Sequence, residues 1–309
     1  MAAGGLTRRG AIGRSVAGSL AGALTLTAPA LAGTPPGPRR LDLAAPDGRM
    51  IPVTEWRPAG RLRGTVLFFH GAGSSPQYYP DMVAAWVGAG HRVLAPLHVD
   101  SREHPRTRDF PGLASWQARI EDMRALVAHI GPEPYVAAGH SYGALAALGL
   151  GGAEPVLPAG MTGPVAPRLA LAVIAFSPPA PIPVLITGAG YGALRVPALI
   201  QTGTLDILPG MGPTGPDAWR GHLAPFDAAA PGGHRYGLVL SGVNHYFGGA
   251  ICDFRQPGPP QREALSTACA ISRLFLTGFG EGQGAGPTRA RRLLDRMIGD
   301  RPGLQLLRR

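Results

Sequence analysis

Lysine is missing from this chain: all 29 of its basic residues are arginine. The formal charge of +10 and the pI near 10.7 therefore reflect a compositional habit of the whole chain. The arginines are scattered, apart from a C-terminal cluster at Arg289, Arg291, Arg292, Arg296, Arg301, Arg308 and Arg309. Diffuse basicity of this kind defines no nucleic-acid partner and none is expected; it serves solubility and weak attraction to anionic surfaces or substrates. Cysteine is nearly absent as well. Cys252 and Cys269 are too few for a disulfide framework, and no Cys-x-x-Cys or His-Glu-x-x-His spacing offers a metal site. In an oxidising compartment the two cysteines could pair, tying the loop after the last strand to the C-terminal helix; two buried free thiols are the alternative, and only their Cα separation decides. Long apolar runs are lacking too, so a membrane-spanning helix is not expected. No internal repeat is evident.

What is present suits a soluble globular protein. At 309 residues and 45% hydrophobic, the chain can bury one sizeable core or two small ones. Residues 1–32 read as an address. Thr7-Arg8-Arg9-Gly10 supplies paired arginines, a mildly apolar stretch follows over residues 11–29, and Ala30-Leu31-Ala32 offers the small-x-small site that signal peptidases cut. The arginine pair is similar to a twin-arginine export signal, which predicts a periplasmic or extracellular destination. A disordered, Ala/Gly-rich N-terminus on a cytoplasmic protein is the alternative. Residues 33–40 then read as a linker.

From residue 41 to residue 277 short apolar runs alternate with helical patterns. Two strands over 41–44 and 50–56 flank the hairpin signal Asp47-Gly48. Continuous apolar runs at 65–69, 92–95, 135–138, 169–176, 196–201 and 236–240 suit strands buried on both faces. Trp116, Ile120, Met123, Val127 and Ile130 recur every three or four residues, as do Leu265, Ala268, Ile271 and Phe275, and both sets predict amphipathic helices. This alternation predicts an α/β architecture: a mostly parallel central sheet with helices on both faces and an N-terminal antiparallel hairpin. Residues 278–309 read as a Gly/Arg-rich peripheral tail.

One motif stands at a chemically useful place. Gly139-His140-Ser141-Tyr142-Gly143 matches Gly-x-Ser-x-Gly, which in a chain with 46 glycines means little by itself. Its position between a strand ending near Ala138 and a helix beginning at Ala144 gives it weight. A turn that tight strains the serine, lifts its Oγ above the sheet and aims the next helix's amides at developing negative charge. A nucleophilic serine needs a base, and the base needs an orienting carboxylate. His245 immediately follows a strong strand and is the expected base; His222 and His234, in Gly/Pro-rich surroundings, read as solvated loop residues. Asp206 follows the strand at 196–201 and is the expected acid, ahead of Asp217, Asp227 and Glu154. Two amide donors for an oxyanion are expected at Tyr142 and Ala72, the latter in His70-Gly71-Ala72-Gly73; such donors are worth about 3 kcal/mol each in enzymes of this type. His70 reads as a structural brace of that loop. Tyr78, Pro178 and Tyr246 are expected to line the cleft.

Together, the strand into His70-Gly71-Ala72-Gly73, the Gly139–Gly143 turn, Gly203-Thr204-Leu205-Asp206 and Asn244-His245 resemble the α/β-hydrolase superfamily. Within it, His70-Gly71-Ala72-Gly73-Ser74-Ser75 with Tyr78, and Asn244-His245-Tyr246-Phe247, are similar to the branch around dienelactone hydrolase-like proteins, chlorophyllase and bacterial polyester hydrolases. That branch's dienelactone hydrolases carry cysteine at the turn, so Ser141 departs from them and points to ester hydrolysis through an acyl-serine. The resemblance implies a serine carboxylesterase acting on a small-molecule or polymeric ester, without metal or organic cofactor. A peptidase, acyltransferase or perhydrolase using the same three residues, or a non-catalytic binding protein on this scaffold, are the other readings.

Overall fold

The computed structural model describes residues 36–208, 214–232, 234–282 and 284–309, so the export signal expected over residues 1–32 lies outside the described residues. The apolar runs all become strands. β1 (Arg39–Ala44) and β2 (Met50–Trp56) form the expected antiparallel hairpin around Asp47-Gly48. Then come β3 (Gly64–Phe69), β4 (His91–Pro96), β5 (Tyr135–His140), β6 (Ala172–Phe176), β7 (Ala198–Leu205) and β8 (Arg235–Asn244). β4, β3, β5, β6, β7 and β8 lie side by side in that order and run parallel.

Helices cover both faces, which is why the central strands carry no polar alternation. α2 (Leu113–Ile130) and α3 (Tyr142–Leu150) pack on one face with Leu67, Phe69, Ala137 and Val173. α1 (Pro80–Gly88) and α6 (Arg262–Phe279) pack on the other with Val66, Phe68, Val136 and Ile174. Two short helices, α4 (Gly188–Gly192) and α5 (Ala224–Ala228), follow β6 and precede β8. Among the described residues no helix is long and apolar enough to cross a membrane.

The C-terminal segment is not peripheral. α7 (Ala285–Arg296) buries Leu294 in the second core, and β9 (Gly299–Arg301) and β10 (Leu304–Arg308) extend the sheet, β10 pairing antiparallel with β8. Pro302-Gly303 supplies the two-residue turn between them, with Gly303 at φ 78°. Cys252 and Cys269 are both buried and both free thiols.

Candidate active site

The parallel strands bring their C-terminal ends to one edge of the sheet, where α/β proteins gather functional groups. Ser141 is the single residue between β5 and α3 and sits at φ 54°, ψ −120°, outside the regions a non-glycine residue ordinarily adopts. Its neighbours must be glycine for want of space: a Cβ on Gly139 would overlap the Gly143 carbonyl, and one on Gly143 would overlap the Phe69 carbonyl. The Ser141 main-chain N–H donates to the Phe176 carbonyl at 2.8 Å, anchoring the turn to β6. As the first helical residue, Tyr142 presents a main-chain N–H that has no partner within its own helix.

Asp206 follows β7 directly and His245 follows β8. These two strand ends approach closely because Gly203 has no side chain; a Cβ there would overlap the Val243 carbonyl. The Nδ1 of His245 then lies 2.7 Å from Oδ1 of Asp206, while the Thr202 hydroxyl donates to Oδ2 at 2.9 Å. Burial by itself pushes the Asp206 carboxyl up, but His245 and His222 beside it hold it well below the usual carboxylate range. Asp206, His222 and His245 bring ligand-type atoms within 4.8 Å of one another. Both imidazoles point at Oδ1 of Asp206 at hydrogen-bonding distance, and Oδ2 is occupied by Thr202, so the cluster is a hydrogen-bonded unit.

The loop 70–73 is held from behind. His98 donates its main-chain N–H to His70 Nε2 at 3.0 Å, so that nitrogen is an acceptor and Nδ1 carries the proton that it gives to the Gly71 carbonyl at 2.8 Å. Burial, with Arg119 nearby, keeps His70 neutral by lowering it well below its ordinary value. Arg119, fully buried, donates to the carbonyls of His70 (3.0 Å) and Gly71 (3.4 Å) and pairs with Asp100 through two contacts at 2.8 and 2.9 Å. Asp100 in turn accepts from the Gly73 N–H at 3.3 Å. A planar trans peptide points its N–H opposite to its carbonyl. Pinning the Gly71 carbonyl on Arg119 and His70 therefore directs the Ala72 N–H the other way.

A second chain of hydrogen bonds joins this loop to His245. The Gly71 N–H donates to the Tyr79 hydroxyl (2.9 Å), which donates to His140 Nδ1 (3.0 Å); His140 Nε2–H donates to the His245 carbonyl (2.9 Å). Burial, then the neighbouring His245, lowers His140 to about 3, consistent with that single tautomer.

Ser141, Asp206, His245, Ala72, Tyr142 and Tyr246 all line one cavity of about 510 Å³, within the range of small-molecule sites. Two expected lining residues do not. Tyr78 turns away, its hydroxyl donating to Glu103 and its ring edge-on to Phe254 at 5.1 Å. Pro178 contributes a carbonyl to His222 instead, and Pro179 takes the place at the wall. His222, expected in solvent, is buried against Asp206. Most of the remaining wall is apolar: Leu113, Ile182, Val184, Leu185, Ile207 and Leu208. Among the described residues no arginine lines the cavity, and Asp206 is its one carboxylate. Among the described residues five non-glycine positions have positive φ, and three of them (Ser141, Ser177 and Cys252) line this cavity, so backbone strain gathers around it.

No protein-family model and no curated protein matches this sequence. Solved structures do resemble it. An esterase from Thermogutta terrifontis with propionate bound aligns with a TM-score of 0.58 at 17% identity, over 81% of this chain and 97% of that one. A dienelactone hydrolase from Anabaena variabilis aligns at 0.54 and 17% identity, over 79% and 98%. The esterase domain of a Rhodothermus marinus protein aligns at 0.51 and 15%, over 78% and 98%. The fold of this chain is thus the α/β-hydrolase fold.

Proposed function

We propose that the protein is a serine carboxylic-ester hydrolase working through an acyl-enzyme on Ser141. The observation that carries the reading is the meeting of a strained serine, a buried Asp206–His245 pair at 2.7 Å and an N–H braced by Arg119 around one cavity. In this reading His245 takes the Ser141 proton as Oγ attacks the ester carbonyl, and Asp206 holds the imidazole and stabilises the imidazolium. The N–H groups of Ala72 and Tyr142 bind the oxyanion. His245 then gives its proton to the departing alcohol, and water, activated by the same imidazole, frees the acid. The printed names of the aligned structures, two esterases and a dienelactone hydrolase, support this class of chemistry.

The cavity wall supports a neutral, apolar ester, whether a small molecule or a chain of a polyester. A cavity with no arginine among its described lining residues to receive a carboxylate, and with Asp206 already committed to two imidazoles, disfavours anionic acyl groups. Each buried methylene contributes about 0.8 kcal/mol, or roughly fourfold. Para-nitrophenyl butyrate is therefore expected to exceed the acetate in kcat/KM by about fifteenfold, with Ser141→Ala inactive on both. Equal turnover of acetate and butyrate would remove the apolar acyl site, and turnover surviving in Ser141→Ala would remove the acyl-serine.

A further inference from the structure

His222 is not needed for the chemistry above, yet both of its ring nitrogens face atoms that can only accept. Nδ1 lies 2.6 Å from the Pro178 carbonyl. Nε2 lies 3.1 Å from the Asp206 main-chain carbonyl and 3.1 Å from its Oδ1. A neutral imidazole has one N–H and would leave a lone pair against an oxygen at one end; an imidazolium satisfies both. The ring also ties three separate pieces together. Pro178 opens the segment that supplies Pro179, Ile182, Val184 and Leu185 to the cavity wall, Asp206 directly follows β7, and His222 itself sits on a short 3-10 helix, Ala218–Leu223.

We propose that His222, carried as an imidazolium, is a positioning residue that holds Asp206 towards His245 and fixes the apolar wall beside it, so that the reaction slows when His222 gives up its proton. The proposal rests on the hydrolase reading above. The charged and titratable groups facing His222 are Asp206 from the end of β7 and His245 from the end of β8, whose ring centroid is 5.8 Å away, with neutral His140 beyond it at the end of β5. On its own short helix Arg220 faces solvent and pairs with Asp217. Burial disfavours the charged ring, but the hydrogen bond and charge of Asp206 outweigh it and raise His222 above its ordinary 6.5. The sign follows: its stabilising contribution is complete below that ordinary value and is lost as pH rises through the elevated one in the folded protein.

The test compares the full chain with His222→Gln from about pH 5 to about 9.5. It reads kcat/KM for para-nitrophenyl butyrate, the rate at which a fluorophosphonate labels Ser141, and Tm. At neutral pH the variant is expected to be about tenfold slower. The wild-type rate declines on the alkaline side and the variant lacks that decline, so their ratio shrinks as pH rises, and the Tm gap narrows over the same range. A ratio and a Tm gap that stay constant with pH would overturn the proposal, since a merely structural residue acts equally at every pH. Wild-type Ser141 that takes no label would instead overturn the hydrolase reading, and the Tm comparison would still decide for or against His222. Imidazole nitrogen NMR of the wild-type chain needs no variant. It should show both His222 nitrogens protonated at about pH 6, and a neutral single tautomer there would contradict the proposal.

Discussion

Replacing Asp206 by asparagine is expected to lower kcat for ester hydrolysis by about 10⁴-fold with little change in KM. The carboxylate gives His245 an acceptor at Nδ1, which in the proposed reaction leaves Nε2 to take the serine proton. Asparagine offers an amide in its place, and where the NH2 faces His245 it selects the opposite tautomer. The imidazolium formed during attack also loses its buried counter-charge. The Thr202 hydroxyl can still donate to the carbonyl oxygen of the substituted amide, so the fold is expected to persist, which circular dichroism and the melting temperature check. Asp217 provides the contrast. It lies at the surface paired with Arg220, and Asp217→Asn is expected to leave kcat within about twofold. If Asp217→Asn were the damaging change and Asp206→Asn retained most of the activity, the acid would be wrongly assigned.

Arg119→Met carries the second large effect and acts on both stability and rate. The guanidinium is fully buried, with the Tyr142 ring 4.5 Å from it, and it is the partner of Asp100. Removing it strands a mostly buried carboxylate, a change that costs about 3–5 kcal/mol in comparable pairs. Burial pushes Asp100 up, and chiefly Arg119 holds it well below the usual carboxylate range, so part of that cost is relieved by protonation. Arg119 also pins the carbonyls of His70 and Gly71, and with them the direction of the Ala72 N–H. Loss of one oxyanion donor lowers kcat by about 10²–10³. The double variant Asp100→Asn/Arg119→Met separates the two roles: it is expected to recover part of the lost melting temperature and none of the lost kcat. Recovery of kcat along with stability would mean that Arg119 serves the fold alone.

Much of this site was legible in the sequence because its parts follow strands. Apolar runs without polar alternation mark buried parallel strands, and the residues just beyond them, Ser141, Asp206 and His245, fall at one edge of the sheet. The residues that hold them were harder to see. Arg119 lies on the same helical face as Trp116, Ile120 and Met123, and a charge at a core position of α2 is the signal that a buried ion pair leaves. His222 stands among Trp219, Leu223 and Phe226, a helical spacing of large apolar groups that argues for packing although glycines and prolines surround it. Proximity in sequence points to Tyr78 and Pro178 as cleft residues but does not determine where a side chain points; Glu103 captures the first and the Pro178 ring yields to its neighbour. The C-terminal strands are hard to read in the sequence because both are short and each ends in an arginine, although Pro302-Gly303 between two short runs is a turn signal.

The central claim is that Ser141 is activated by His245 and Asp206, and covalent labelling tests it without knowledge of the natural substrate. The full chain is treated with a fluorophosphonate and the modified peptide identified by mass spectrometry. The account predicts one adduct per chain on Ser141, absent in Ser141→Ala and formed about a hundredfold or more slowly in Asp206→Asn and His245→Ala. No adduct on Ser141 in the wild type, or an adduct formed at the same rate in all three chains that retain the serine, would contradict it.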